Sequence, residues 1–233
     1  MAHTLTVKTT DGLFEAYVAR PVRKRAPAVV LIHEIFGVNL DLRQTADALA
    51  RQGFIAVCPD LFWRQEVGVD LDPAAPDAFP RAVSLYATFD PDQGVRDIGA
   101  TLRAVRRMPG SNGRVGLMGF CMGGLLTFLT TTRIGDRACI AYYGGGTETH
   151  LGDAFDARTP VIMHLGEDDE YISVEARDRI VAAFWDSPHI QIFTYPGQGP
   201  AFARHRGRGY DAATARLANA RAVSFFARQL GEG

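Results

Sequence analysis

Cysteine is scarce in this chain, with three in 233 residues, at positions 58, 121 and 139. An odd and widely spaced set argues against a disulfide framework and fits no zinc-binding spacing. Unpaired thiols persist where the surroundings are reducing, so a cytoplasmic location is expected. A surplus of charge is also missing. Lys and Arg number 25 against 26 Asp and Glu, a formal net charge of -1. That balance supplies no attraction to nucleic acid or to an anionic membrane surface, and neither partner is expected. No apolar run reaches the length of a membrane span. The opening residues, MAHTLTVKTTDG, lack the basic and then apolar pattern of a secretory signal. The six histidines show no i, i+4 pairing or other ligand spacing, so no metal is implied and no cofactor is expected. Repeats, linkers and low-complexity stretches are absent as well.

What is present is alternation. Hydrophobic residues make up 47% of the chain and charged residues 22%, as in an ordinary globular protein. Residues 26–33 (APAVVLIH) and 54–58 are nearly continuous apolar runs, the pattern of strands covered on both faces. Residues 114–119, 138–143, 160–166 and 190–195 read as further strands, and 4–9 and 14–19 as two opening ones. Between them lie helical patterns over 41–52, 92–107, 122–133, 174–185 and 211–230. In 92–107, Val95, Ile98, Leu102 and Val105 form one stripe. This order predicts an α/β fold: one domain over 1–233, with a mostly parallel twisted sheet and helices on both faces. The segment 60–90, rich in Pro, Ala and aromatics, holds one helix near 81–89 and is expected to cover a site.

The sharpest chemical signal is Gly119-Phe120-Cys121-Met122-Gly123-Gly124, between a buried strand and an apolar helix. This is the strand–nucleophile–helix elbow, with Cys where Ser is usual. Glycines are needed because the turn leaves no room for side chains, and the nucleophile itself takes a strained backbone conformation. The helix start offers free N–H groups and a positive dipole end, which favour a thiolate. The Met122 N–H would be one oxyanion donor. Cys58 and Cys139 fall inside apolar strands and read as core. In the usual chain order an acid and then a histidine follow the nucleophile. Glu167-Asp168-Asp169-Glu170 supplies carboxylates after the 160–166 strand. The loop after 190–195 contains one histidine, His205, which comes late.

Several short motifs together resemble the dienelactone hydrolase (carboxymethylenebutenolidase) family, whose fold is the α/β-hydrolase fold. They are His33-Glu34-Ile35-Phe36-Gly37-Val38-Asn39, Cys58-Pro59-Asp60-Leu61, Ser111-Asn112-Gly113, the elbow itself, Tyr142-Tyr143-Gly144 and Phe202-Ala203-Arg204. The resemblance runs nearly end to end. It implies Cys121 as nucleophile, Asp169 as triad acid, and Ile35 and Met122 as oxyanion donors. It also implies that Glu34 contacts the resting thiol and is drawn toward Arg204 when substrate binds. Arg204 and Tyr143 would then contact the substrate. The same comparison exposes two departures. The family pattern Gly-His-x-Phe-Ala-Arg is here Gly199-Pro200-Ala201-Phe202-Ala203-Arg204, so the triad histidine falls on Pro200. A substrate-contacting arginine of the covering segment falls on Phe79, with Arg81 two residues away.

Other residues read as structure. His33 beside Glu34 and His164 inside a buried strand are expected to be core histidines. Arg204-His205-Arg206-Gly207-Arg208 is a basic run that steers an anion or merely solvates a loop. Gly144-Gly145-Gly146 lacks the Lys-Ser/Thr of a phosphate loop. Two functions remain open from the sequence. One is a cysteine hydrolase cleaving an activated ester or lactone, with a carboxylate-bearing small molecule among the candidates. The other is a ligand-binding homologue without turnover, and Pro200 is the residue that separates them.

Overall fold

The computed structural model describes residues 3–154 and 158–231. Eight strands form one sheet. They are β1 (His3–Lys8), β2 (Leu13–Ala19), β3 (Ala26–Ile32), β4 (Ile55–Pro59), β5 (Ser111–Phe120), β6 (Cys139–Tyr142), β7 (Val161–Gly166) and β8 (Ile190–Tyr195). Their spatial order is β1-β2-β4-β3-β5-β6-β7-β8. Only β1 and β2 run antiparallel to their neighbours, and from β4 to β8 every pairing is parallel. Every residue of β3, β4, β6 and β7 is buried, as the unbroken apolar runs require.

Six helices follow the strands: α1 (Leu40–Arg51), α2 (Ala78–Ala87), α3 (Pro91–Arg107), α4 (Met122–Arg133), α5 (Val174–Ala183) and α6 (Ala212–Leu230). The helix of the covering segment is α2, and it starts at Ala78 rather than near Arg81. Pro80 did not delay it, because proline fits the first turn of a helix. Side-chain caps fix the starts of α3, α5 and α6. Asp90 accepts from the Asp92 and Gln93 amides of α3, Ser173 from Ala176 of α5, and Asp211 from Thr214 of α6.

Helices lie on both faces of the sheet. Gly119 of β5 meets α4, where an added Cβ would sit 2.4 Å from Thr127 Oγ1. Gly116, three residues earlier and so on the opposite face, meets Phe226 and Leu230 of α6. The core between these layers contains Phe62, Phe128, Tyr142, Phe202 and Phe226, all fully buried. Each large apolar side chain contributes about 1.5–3 kcal/mol by leaving water. The parallel strands therefore end on one rim, where β3, β5 and β7 deliver Glu34, Cys121 and Asp169.

Candidate active site

At the end of β5 the chain turns so sharply that Cys121 adopts φ 53° and ψ -118°. A non-glycine residue there is strained, and it holds because its surroundings over-determine it. The Cys121 N–H donates to Tyr142 O at 3.0 Å, and its carbonyl accepts from the Gly124 and Leu125 amides. The neighbouring glycines are obligatory. A Cβ on Gly119 would lie 2.0 Å from Gly123 O, one on Gly123 2.4 Å from Ile32 O, and one on Gly124 2.4 Å from Tyr142 O.

Cys121 is only partly buried, whereas Cys58 and Cys139 are sealed in their strands. The Cys121 thiol is pushed up to about 12, chiefly by burial and next by the Glu34 charge, with Asp169 adding to the rise. The Met122 N–H and Arg204 pull the other way and do not prevail. The expectation that the helix start would favour a thiolate is thus corrected. The dipole effect is worth roughly 0.3–1 kcal/mol, less than desolvation plus a buried carboxylate. At neutral pH the resting sulfur carries its proton.

Glu34 leaves β3 and turns its Oε2 to Arg204 Nη1 at 2.9 Å, both side chains being largely buried. The expectation that Glu34 would rest on the thiol is corrected as well, since the carboxylate already sits on the guanidinium. A buried carboxylate without a cation would be far costlier, so the ion pair is the favoured arrangement. Burial still pushes the Glu34 carboxyl up, against the pull of Arg204. Arg204 is further held by Arg206 O at 2.9 Å and lies 5.1 Å from the Phe36 ring centre. Tyr143, at φ 38°, is buried edge-on against Phe202. Its hydroxyl and Glu34 Oε1 are both buried and take no partner among the described residues. A cavity of about 10 Å³ is bordered by Glu34, Asp41, Thr45, Tyr143 and Arg204.

Asp169 follows β7 and is buried, and its Oδ1 accepts from the Tyr171 N–H at 2.9 Å. Burial pushes its carboxyl above the ordinary range. The loop after β8 lies against this segment, since Asp168 N–H donates to Gln198 O at 2.9 Å. Pro200 follows, half-buried, and then Ala201 at φ 60°. His205 does not take the place of a base. Its backbone N–H and its Nδ1 both lie on Asp41 Oδ1, at 2.9 and 3.1 Å. Asp41 holds that imidazole above its usual value. His33 is structural, as expected. Its Nδ1 donates to Glu34 O at 2.6 Å, its Nε2 accepts from Leu61 N at 3.1 Å, and burial lowers it to about 4. His164 is buried on the Tyr195 hydroxyl at 2.8 Å and lowered to about 3.

The Ile35 amide has no backbone acceptor among the described residues, and the Met122 amide lies on the Cys121 sulfur. Phe79 is exposed on α2, and Arg81 is spent on Glu66 at the surface. Sequence reasoning missed Tyr86 and Tyr171. Both hydroxyls are raised, chiefly by burial and in part by the charge that Cys121 would carry as a thiolate. The one available signal was the i, i+4, i+7 spacing of Phe79, Val83 and Tyr86 in the covering segment.

Over residues 14–230 the chain matches the dienelactone hydrolase family. It is 40% identical over 225 residues to the carboxymethylenebutenolidase of Pseudomonas putida, covering 96% of this chain and 95% of that protein. Carboxymethylenebutenolidase 1 of Cupriavidus pinatubonensis is 36% identical over 218 residues, with 94% and 93% covered. Among solved structures, a dienelactone hydrolase-like promiscuous phosphotriesterase from metagenomic libraries superposes with a TM-score of 0.81 at 21% identity, covering 99% of each chain. The dienelactone hydrolase of Anabaena variabilis gives 0.74 at 11% identity, covering 99% and 98%. These structural matches establish the α/β-hydrolase fold.

Proposed function

This chain belongs to the dienelactone hydrolase family, and from that membership we propose that it cleaves an activated ester or lactone through a thioester on Cys121. It is a hydrolase of carboxylic ester or lactone bonds. The observation that carries the thiol assignment is the strained elbow, which holds one partly open cysteine beside the Glu34–Arg204 pair.

The chemistry follows from the resting charges. A substrate carboxylate or polarised ester oxygen that engages Arg204 weakens its hold on Glu34. Glu34 is then a buried carboxylate lacking its cation, and it takes the Cys121 proton. The thiolate attacks the carbonyl carbon, and the oxyanion receives the Ile35 and Met122 amides. The C–O bond breaks, and an enolate or phenolate leaves without needing a general acid. Water must then hydrolyse the thioester, with Pro200 in the position of the triad histidine.

Pro200 favours a second reading, in which the protein acylates once and retains its ligand. A chromogenic aryl ester with intact-mass analysis separates the two. Steady release with a transient acyl mass on Cys121 supports the hydrolase. One equivalent of release and a persistent adduct supports the trap. Release with no adduct on Cys121 removes the thioester from the account.

A further inference from the structure

Resting on that thioester reading, we infer that Asp169 is itself the general base that activates the deacylating water. The acid of the site is in place, and no imidazole stands on it. Asp169 Oδ1 accepts from the Tyr171 backbone N–H, and no described side chain donates to the carboxylate. Its charge acts on Cys121, across the neighbouring ends of β5, β6 and β7. The loop that would bring a histidine here brings Pro200, whose ring nitrogen has no proton to exchange and no free lone pair.

The alternatives are occupied. His205 is held by Asp41, and both nitrogens of His33 are bonded. His164 is sealed in β7 beneath the rim, and Glu34 carries the proton taken from Cys121 once the thioester has formed. The Tyr86 and Tyr171 hydroxyls are both raised by burial and so stay protonated at neutral pH. Cys121, Glu170 and Tyr171 are the titratable groups acting on Asp169 or acted on by it. Burial and Glu170 both strengthen its basicity.

In the step itself, water attacks the thioester carbonyl and one of its protons passes to the Asp169 carboxylate. The tetrahedral oxyanion collapses, the C–S bond breaks, and the carboxylic acid product leaves. The departing thiolate recovers its proton from Asp169, and Glu34 gives up the proton it took during acylation to the released enolate or phenolate through solvent, so one water is consumed and the enzyme is restored.

The test uses the full chain and p-nitrophenyl acetate. The nitrophenolate burst reads acylation, and the steady rate with intact mass reads deacylation. For D169N the expected result is a burst followed by a steady rate lower by about 100-fold, the low end for a positioned base, with acetyl-Cys121 accumulating. D169E is expected to recover part of the loss. On the unaltered chain, deacylation is expected to slow in deuterium oxide and on acidification through one ionisation. A D169N protein that clears its acetyl group as fast as the unaltered chain overturns this role alone. Deacylation with no solvent isotope effect overturns it equally, whether or not the variant folds. An unaltered chain that never carries acetyl on Cys121 overturns the thioester reading along with it.

Discussion

The rim of the sheet has two halves, and they are built to different standards. Around β3 and β5 every part reinforces another: three glycines admit the elbow, Glu34 and Arg204 neutralise each other, and the Met122 amide lies on the Cys121 sulfur. Around β7 and β8 the Asp169 carboxylate accepts a backbone N–H and no imidazole among the described residues, and the loop beside it carries Pro200 and a left-handed Ala201. Acylation needs the first half and deacylation the second. On the proposed reading, a thioester would form more readily than it clears.

Removing the sulfur should abolish that asymmetry altogether. Cys121→Ala is expected to drop ester cleavage to the uncatalysed background, and limiting iodoacetamide should label Cys121 alone in the unaltered chain. Peptide mapping that finds Cys58 or Cys139 labelled first would break the comparison at its root.

Pro200→His should even out the halves from the other side. An imidazole restored next to Asp169 is expected to raise aryl ester turnover by about 10²–10⁴-fold, the usual range for a positioned base. No gain in steady-state kinetics would mean that the loop has moved too far to present the ring.

The weaker half should also show in stability. Asp169 has a folded-state carboxyl raised above its unfolded value of about 3.9. Such a group contributes stability only below the unfolded value and loses it as pH rises through the folded one. At pH 7 it therefore costs stability, and Asp169→Asn should raise Tm. Calorimetry from pH 7 down to pH 4 should show that advantage disappear.

Smaller effects sharpen the picture further. Glu34→Gln removes a charge that raises the thiol, so the midpoint for alkylation of Cys121 should move to lower pH. An unchanged profile would leave Glu34 a purely structural partner of Arg204. His205→Ala should alter turnover by less than about 2-fold, within the range of a surface change. A large loss would show that His205 swings from Asp41 to serve the base half.

How much of this was legible in the sequence differs between the same two halves. The sheet was legible because β3, β4, β6 and β7 are buried on both faces and need unbroken apolar runs. The elbow was legible because its glycines are forced by backbone contacts only a few residues apart or one strand away. The Glu34–Arg204 pair spans 170 positions and leaves no periodic trace, so only the family resemblance pointed to it. The state of the thiol was misjudged for a similar reason. The helix start that favours a thiolate is local and visible, whereas the burial that opposes it comes from distant segments.

The loop after β3 also carries a mechanical consequence. Glu34 and Ile35 belong to the same few residues that hold the covering segment. Phe36 O accepts from Leu71 N at 3.0 Å, Gly37 bridges Asp70, and Asn39 Nδ2 donates to Leu71 O at 3.1 Å. Asn39 meanwhile caps α1 through the Leu42 amide. At Gly37 the two strips touch so closely that a Cβ would fall 2.1 Å from Val69 O. The flap cannot peel away without releasing the loop that bears the Ile35 amide. Amide hydrogen exchange at Leu71 and Leu42 should therefore share one opening free energy, as members of a single cooperative unit. Entry to the site and assembly of the site would then be one event, with Asn39 as the hinge pin.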